Sequence, residues 1–302
     1  MNLLQQAVAP YFPLPQLRTW ASLWSLLFAT PPPPKVNWYS LIGNITVGEL
    51  RQRAEAVPKF SGINLASWNV RWLLSPHTDK AAAKRTISLN HLIAGRIVCL
   101  QETHWHHAAA AQWQGLFPAA AVVPAPARLG PGNGWQGGVA TLIPHSITLV
   151  SSRILVPGCA LECVVHTPGS VEHVAIWNVY LPPSDRKAVL AELEGCRPPP
   201  GTDLYMAGDF NIHMSTGRGN EEAALLDRLR ALQQRLQVAF TATPGATRKG
   251  RKTNAPIDSI ALPAQIAWKW EVSLQWQPSL SDHACLTLRS AQQTSATGRA
   301  CN

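Results

Sequence analysis

Residues 97–104 read Ile-Val-Cys-Leu-Gln-Glu-Thr-His, an apolar run that ends in an amide and a carboxylate. Such a run predicts a short, fully apolar strand. The Ala-rich stretch from Asp79 to Ala94 precedes it and predicts a helix with one apolar face. Ile63 to Trp68, earlier still, alternates as a strand does. The order strand, helix, strand indicates an α/β protein.

Strand and helix patterns of the same kind continue along the chain. A second clear helix, Glu221 to Gln237, carries leucines at helical spacing. Many short strands, some adjacent and some separated by helices, predict two packed sheets with helices outside. The further predicted strands are Val139–Ile143, Leu161–Val165, Val174–Val179, Leu204–Ala207, Ser259–Leu262 and Ala284–Leu288.

Two segments of different composition flank the predicted domain, which spans residues 61–290. Residues 1–60 form an N-terminal extension, and its run Pro31 to Pro34 predicts a stiff linker. Residues 291–302 are a polar tail that we expect to fray. The sequence assigns no function to the extension.

The composition indicates a globular, core-forming protein with a basic surface. Of its 302 residues, 46% are apolar and 14% are charged, and the net charge is +9. This charge predicts a polyanionic partner, either nucleic acid or an anionic membrane surface, although a basic protein that binds neither has the same charge. No membrane span is predicted, because the apolar window Trp20 to Thr30 is about half the necessary length. With Arg18 as the only charged side chain before it, that window makes an incomplete signal peptide.

Cysteine usage favours a reducing, intracellular location. The six cysteines include no CxxC pair and no zinc-ligand spacing. Cys99 and Cys285 lie inside apolar strand patterns, where cysteine behaves as a small buried hydrophobe. A nuclear location would agree with a DNA partner. No GxGxxG or P-loop follows a predicted strand, which argues against nucleotide-cradling folds.

Polar residues at the ends of the predicted strands are the main indication of function. If all these strand ends meet at one edge of the sheets, they form a pocket of carboxylates, amides, a phenol and an imidazole. Taken singly, Asn69 also fits a strand-end cap, Tyr180 a half-buried aromatic and Asp258 a loop acid. Six such motifs in one order are far more specific than any one. The residues are Asn69, Glu102, Asn178, Tyr180, Asp209, Asn211, Asp258, Asp282 and His283.

That inventory suits phosphodiester hydrolysis. Glu102 and Asp282 are hard oxygen ligands suited to Mg²⁺, with Mn²⁺ as an alternative. The metal would polarise a phosphoryl oxygen. Asp209 would orient or deprotonate the attacking water. His283 would hydrogen-bond a phosphate oxygen, with Asp258 fixing its tautomer. Neutral donors to phosphate and water would come from Asn69, Asn211 and Tyr180.

With these motifs in place, the chain resembles the endonuclease/exonuclease/phosphatase superfamily over about residues 61–290. Members of that superfamily include abasic-site endonucleases, deoxyribonuclease I, inositol polyphosphate phosphatases and LINE-type retrotransposon endonuclease domains. The resemblance is greatest to the retrotransposon branch. It is carried by Gln101-Glu102-Thr103-His104, Gly137-Gly138-Val139, Asn178-Val179-Tyr180-Leu181-Pro182 and Gly208-Asp209-Phe210-Asn211.

The resemblance implies a four-layered α/β sandwich of the deoxyribonuclease I type. It implies metal ligands at Asn69 and Glu102, with Asp282 completing the metal site. Tyr180 would contact the phosphate. A monomer that acts on DNA is the expected form, and the sequence indicates no protein partner.

The same resemblance implies roles for four further motif residues. Asp209 and Asn211 would position the nucleophile, and His283 would pair with Asp258.

Three departures from the family pattern bear on these roles. Abasic-site enzymes place an acid at the position of Arg71. The arginine resembles deoxyribonuclease I instead, and it weakens the case for a second metal site. Pro183 replaces a frequent Asn, which removes one expected phosphate contact. Ile257-Asp258-Ser259 lacks the signature of the inositol phosphatases, which argues against that branch.

The basic segment at residues 247–252, just before Asp258, predicts contacts with the phosphate backbone of a nucleic acid. A solvated loop or a localisation signal is the alternative. Trp72, Trp105 and Trp135 fall in predicted loops near the motifs and would either stack on bases or be partly buried. The predicted substrate contacts are Arg71, Asn178, Arg248, Lys249, Arg251 and Lys252.

Three functions remain open on the sequence alone. The first is a Mg²⁺-dependent endonuclease that nicks DNA, of the retrotransposon or abasic-site type. The second is a phosphatase or phosphodiesterase acting on a lipid, inositol or small nucleotide. The third is an inactive retroelement fragment that still binds nucleic acid. Because no residue of the motif set is missing, the sequence favours the first.

Overall fold

Strands dominate the fold, and within the described residues helices connect several of them. The computed structural model describes residues 63–73, 79–106, 110–129, 134–167, 170, 172–214, 219–250 and 254–290. In chain order the elements are β1 (Leu65–Asn69), α1 (Asp79–Ile93), β2 (Ile97–Gln101), α2 (Ala110–Leu116), β3 (Ala120–Ala125), β4 (Arg128–Leu129), β5 (Trp135–Gln136), β6 (Val139–Pro144), β7 (Thr148–Val156), β8 (Ala160–His166), β9 (His173–Tyr180), α3 (Arg186–Gly195), β10 (Thr202–Asp209), α4 (Asn220–Leu236), β11 (Val238–Phe240), β12 (Arg248–Lys249), β13 (Asn254–Ala255), β14 (Asp258–Pro263), a 3-10 helix (Ala267–Lys269), β15 (Trp270–Gln275) and β16 (Cys285–Ser290).

Two six-stranded sheets form the centre, with strand orders β15-β16-β1-β2-β6-β3 and β11-β14-β10-β9-β8-β7. Each contains a parallel pair, β1 with β2 and β9 with β10, and the other pairings are antiparallel. Each parallel pair is joined by a helix, α1 or α3, as a parallel crossover requires. The pairs β4-β5 and β12-β13 form two small two-stranded sheets, and Arg248 of β12 also bridges to His283, just before β16.

Apolar side chains bury three interfaces and so define four layers. Residues such as Ile176 and Leu286 fill the space between the two sheets. Trp113 and Leu92 of α2 and α1 pack on the outer face of the first sheet. Leucines of α3 and α4, Leu229 among them, cover the outer face of the second. The predicted four-layered α/β sandwich is confirmed.

The strand registers bring the motif residues to one edge of the sandwich. In the first sheet Asn69 pairs with Gln101, the residue before Glu102. In the second, Asp209 lies between Tyr180 on β9 and Asp258 on β14. Both parallel pairs end at this edge, so short polar sequences after different strands converge there.

Gly208 makes the close pairing beside this edge possible. Its φ is 155°, and a Cβ placed on it would lie 1.8 Å from the carbonyl oxygen of Val179 on the neighbouring strand. Such a separation is far below van der Waals contact, so a side chain here would force β9 and β10 apart. The glycine therefore fixes the position of Asp209, which follows it.

Several elements differ from the sequence prediction. β1 begins at Leu65, two residues after the predicted start, and the predicted helix to Gln237 ends at Leu236. Gln237 is instead a left-handed C-cap with φ 55°. The Pro31–Pro34 linker, the apolar window in residues 20–30 and the tail at 291–302 lie outside the described residues.

The remaining fold observations concern the cysteines and the helices. Five described cysteines carry free thiols: Cys99, Cys159, Cys163, Cys196 and Cys285. Across the described ranges, no helix is both long and apolar enough to cross a membrane.

Candidate active site

An imidazole between two carboxylates lies at the edge where the motif residues meet, and we call the group from Asn69 to His283 that converges there the pocket. His283 Nδ1 is 3.0 Å from both carboxylate oxygens of Asp258 and 3.9 Å from Asp209 Oδ2. All three residues are buried, with exposures of 0% for Asp209 and 2% for the other two. The hydroxyl of Thr247 accepts the backbone N–H of Asp258 at 2.9 Å and so holds the acid in place. Because these three ionisable groups are shielded from solvent, the protonation of each depends on the charges of the other two.

The pKa shifts in this cluster follow from burial and mutual charge. Burial raises the pKa of Asp209 to about 7, and the negative charge of Asp258 adds to the rise. Burial alone would lower the pKa of His283, but the attraction and hydrogen bond of Asp258, with the charge of Asp209, outweigh it and raise that pKa to about 9. At neutral pH the imidazole is therefore protonated, and Asp209 is near the midpoint of its titration.

Glu102 forms a second acidic group, just beyond the end of β2. Its backbone has φ 50°, an uncommon left-handed conformation that turns the chain sharply after the strand. Burial would raise the pKa of Glu102, but hydrogen bonds from His104, Asn69 and Tyr180 lower it to about 2. The carboxylate thus remains ionised across the whole physiological range.

Asn69 connects the two acidic groups. Its Nδ2 donates to Glu102 Oε1 at 2.9 Å and to Asp209 Oδ2 at 2.8 Å. Its Oδ1 accepts the backbone N–H of Arg71 at 3.1 Å. The amide therefore presents donor hydrogens to the carboxylates, in keeping with a neutral donor, and its role as a metal ligand stays a prediction.

Two arginines hold Asp282 at the mouth of the pocket. Arg71 Nη1 lies 3.1 Å from Asp282 Oδ1, and Arg248 Nε lies 3.2 Å from Oδ2. Burial would raise the pKa of Asp282, but the charge of His283 and the two arginines lower it. Asp282 is thus an ionised carboxylate with 23% of its side chain exposed.

Asn211 and Tyr180 complete the pocket beside the acids. The N–H of Asn211 donates to Asp209 Oδ1 at 2.9 Å, and its Nδ2 donates to Asp209 Oδ2 at 3.1 Å and to the Leu181 carbonyl at 3.0 Å. Its φ of 47° gives the tight turn that makes these bonds possible. The Tyr180 hydroxyl contacts Glu102, and burial raises the pKa of Tyr180 far above its ordinary value. Tyr180 is thus a neutral donor.

The structure places Asn178 away from the substrate side of the pocket, which corrects its predicted role. Its side chain is 0% exposed and bridges the two sheets. Nδ2 donates to the carbonyls of Leu100 (3.2 Å) and Ala140 (2.9 Å), and Oδ1 accepts Gln101 Nε2 at 2.8 Å. An amide engaged in this way has no group to offer a phosphate.

The basic segment divides between described and undescribed residues. Arg248 and Lys249 form β12, and Lys249 Nζ lies 4.3 Å from the ring centre of Trp276. Arg251 and Lys252 lie outside the described residues. Arg248 and Arg71 both contact the site through their ion pairs with Asp282.

The sequence prediction missed Lys84, the most informative supporting residue of the site. It is 5% exposed, and its Nζ donates to the carbonyls of Val70 (2.6 Å), Arg71 (2.8 Å) and Trp72 (3.5 Å). Burial lowers its pKa to about 8. The signal available in the sequence was a lysine inside an otherwise Ala-rich helix face.

Ser281, the residue before Asp282, bridges two segments of the site. Its hydroxyl donates to the Asn69 carbonyl at 2.8 Å and accepts the N–H of His283 at 3.1 Å. Ser281 therefore links the end of β1 to the segment that carries Asp282 and His283.

The carboxylates fit a hard divalent cation on the side of Glu102 and Asp282. Both pKa values are lowered, and Mg²⁺ requires only one or two carboxylates with water completing its shell. Ligand-type atoms of Asp209, Asp258 and His283 also lie within 4.8 Å of one another. A protonated imidazole, however, has no free lone pair for a metal. By the chemistry of the donor set, Glu102 and Asp282 would be the residues to hold a divalent cation.

Solved structures with the same fold include nucleic-acid enzymes. The catalytic domain of Xenopus laevis APE2 aligns with TM-score 0.57 and 15% identity over 76% of this chain and 91% of that one. The endonuclease domain of TRAS1, a telomere-specific non-LTR retrotransposon, aligns with TM-score 0.55 and 14% identity over 76% and 97%. A Neisseria 3′ phosphatase, NExo, bound to a product DNA hairpin aligns with TM-score 0.53 and 16% identity over 76% and 99%. At such identities the likeness concerns the fold.

Sequence comparison gives the family itself. No curated protein matches the chain. The model of the endonuclease/exonuclease/phosphatase family matches residues 66–290, which include every site residue described above. The chain belongs to the endonuclease/exonuclease/phosphatase family.

Proposed function

We propose that this protein is a divalent-metal-dependent endonuclease that cleaves phosphodiester bonds in DNA. The observation that carries the proposal is the pocket itself. It combines a buried carboxylate that titrates near neutrality, Asp209, with a protonated His283 and an ionised Glu102. A base, a cationic proton donor and a metal ligand are the groups that attack of water on a phosphodiester needs.

Each group would have one task in that reaction. Asp209 accepts the proton of the attacking water, and Asn69 and Asn211 hold its carboxylate through hydrogen bonds of 2.8 to 3.1 Å. His283, fixed by Asp258, donates its remaining N–H to a non-bridging phosphate oxygen. As the water oxygen bonds to phosphorus, the bond from phosphorus to the leaving sugar oxygen breaks, and that oxygen takes up a proton from solvent. A cation held by Glu102 and Asp282 would offset the charge that develops on the phosphoryl group.

The charge around the pocket supports DNA as the substrate. Arg71 and Arg248 reach the rim through Asp282, and the side chain of Arg71 is 52% exposed. The whole chain carries a net charge of +9. Cations at the rim attract a polyanionic backbone without selecting a sequence. Two of the proteins with this fold are described as a retrotransposon endonuclease domain and as an enzyme bound to a DNA hairpin.

Plasmid nicking tests the proposal. Supercoiled plasmid with the protein and Mg²⁺ should become nicked circles, and EDTA should stop the reaction. Asp209→Asn should lose nicking by at least about a hundredfold, because a general base contributes factors of that order. The matched control is Asp203→Asn at the opposite end of the same strand, which should nick normally. Equal nicking by the wild type and the Asp209 variant would contradict the proposal.

Further substrates in the same assay separate the other members of the family. Intact and abasic duplexes side by side test the choice between general and abasic-site cleavage. Release of phosphate from inositol or nucleotide esters, with no nicking, would instead indicate a phosphatase. DNA binding without cleavage in the wild type would indicate an inactive nucleic-acid-binding protein.

A further inference from the structure

Four aromatic rings form a shelf on the Glu102 side of the pocket. Trp72 stacks on His104 with ring centres 4.1 Å apart and planes 3° apart. His106 stacks on Trp135 at 5.0 Å and 21°. The Nδ1 atom of His104 lies 2.8 Å from the Trp135 carbonyl oxygen, which joins the two pairs. We call these four residues the aromatic shelf.

The shelf leaves a large apolar ring in solvent. Trp72 is 58% exposed although one of its faces lies against His104, and Trp135 is 36% exposed. Tryptophan in a folded protein is ordinarily well buried, so exposure of this size beside a pocket indicates a binding surface. Its outer face is available for one more planar group.

The backbone under the shelf is held in place. Trp72 and His104 both have left-handed conformations, with φ of 69° and 51°. The N–H of Trp72 donates to the Glu102 carbonyl at 2.9 Å, and that of His104 donates to the Gly137 carbonyl at 2.9 Å. Lys84 binds the carbonyl of Trp72 from below. Non-glycine residues persist in this conformation only where their surroundings enforce it, often at binding sites.

A cationic flank lies on the other side of Asp282. Asp282 joins Arg71, the neighbour of Trp72, to Arg248. The N–H of Lys249 donates to the Asp282 carbonyl at 2.8 Å, and the Lys249 ammonium lies over Trp276. From the shelf to this flank, the rim therefore presents planar rings, cations and another ring.

We propose that the aromatic shelf binds an unpaired nucleobase next to the phosphate held in the pocket, so that single-stranded or locally opened DNA is preferred over a fully paired duplex. Alternation of flat rings and cations matches the alternation of bases and phosphates along a strand. In a paired duplex both faces of a base are covered by its neighbours. This inference rests on the proposed function for the choice of DNA, but its test requires no cleavage.

Binding of two probes with equal charge tests the shelf. Fluorescence anisotropy compares labelled oligothymidine with a strand of the same length built from abasic spacers, so that only the bases differ. Ca²⁺ replaces Mg²⁺, and Asp209→Asn is the protein background. The Asp209→Asn protein should bind oligothymidine more tightly than the abasic strand. Adding Trp72→Ala should reduce this ratio of affinities by about fivefold or more. Trp268→Ala is the matched control, since Trp268 is 39% exposed near the opposite ends of β14 and β15.

Each outcome decides the question. Equal affinity of the parent protein for the two probes would overturn the inference. A preference that survives Trp72→Ala would also overturn it, because the bases would then bind elsewhere. A duplex with a short unpaired bulge should bind more tightly than the same duplex fully paired, and the reverse order would refute the preference for opened DNA. Failure of plasmid nicking with a retained base preference would contradict the nuclease proposal alone.

Discussion

Asp258 controls the charge of both of its buried neighbours. Its carboxylate lies 3.0 Å from His283 Nδ1, and its negative charge raises the pKa of His283 and of Asp209. In the proposed reaction the active form has His283 protonated and Asp209 deprotonated. The cleavage rate should therefore rise with pH as Asp209 titrates near 7 and fall as His283 titrates near 9.

Asp258→Asn should move both limbs of this pH profile to lower pH. The change removes the charge that favours protonation of Asp209 and of His283, so both pKa values fall. Nicking rates measured from acidic to alkaline pH report the two limbs. Asp227→Asn, on an exposed α4 residue, should leave the profile unchanged. A profile in Asp258→Asn with its limbs unmoved would contradict the assignment of these titrations.

For single residues, the sequence predicts which side chains lie close together better than it predicts the atoms that each one contacts. Asp209, Asp258 and His283 could be placed together because polar residues at strand ends of one sandwich edge must meet. Asn178 could not be placed correctly, because its orientation depends on how the two sheets face each other. Nor does spacing reveal whether the Asn69 amide turns its oxygen or its nitrogen toward the acids.

Helix α1 supports the pocket from outside through one side chain. Lys84 reaches across to three successive carbonyls after β1, in the loop that carries Arg71 and Trp72. Buried carbonyls without a donor are costly, and here one ammonium satisfies several of them. The helix thus stabilises a loop in which two non-glycine residues have positive φ.

Lys84→Met should reduce the free energy of unfolding by about 1–3 kcal/mol, because buried carbonyls lose their donor. Nicking should also fall, since Arg71 and Trp72 lose their support. Urea denaturation and the plasmid assay measure the two effects. Lys80→Met, on an exposed position of the same helix, is the control. Equal stability of the two variants would show that the carbonyls find other donors.

Elements with a strong internal pattern are the ones that the sequence predicts. β2 is entirely apolar and α4 has leucines at helical spacing, and both were expected. β7 was not predicted, because it is an edge strand whose residues are largely exposed and lack a buried-strand pattern. β3 contains Pro124, which reads as a breaker but is tolerated on the sheet edge where it lies.

For the whole molecule, net positive charge is the property that acts at a distance. The chain carries a charge of +9, and the described cations near the pocket include Arg71, Arg248 and Lys249. Binding to DNA through such groups releases counterions from the backbone. The proposed function therefore implies an affinity that depends strongly on salt.

The logarithm of the affinity for duplex DNA should fall linearly with the logarithm of salt concentration. Arg248→Ala should reduce the magnitude of that slope by about 1, the value for one lost phosphate contact. Arg230→Ala, an exposed arginine of α4, should leave the slope unchanged. Anisotropy titrations at several salt concentrations give the three slopes. A steeper or unaltered slope in Arg248→Ala would show that Arg248 does not contact the phosphate backbone.

The overall architecture could be predicted because motif order and strand count both indicate one family fold. The family model matches residues 66–290, which confirms the predicted family. What the sequence could not supply is the arrangement of the rim, since Trp72 and His104 follow β1 and β2 whereas Trp135 lies in β5. Their stacking results from packing between these separate segments of the chain.

The position of the last strand has a consequence for protein synthesis. β16 pairs with β1, and the segment just before it supplies Asp282 and His283. A nascent chain that has emerged only as far as β15 holds Asp209 and Asp258 but lacks the imidazole between them. If the proposed function holds, a chain that ends at β15 should therefore not cleave DNA, because His283 has not yet been synthesised.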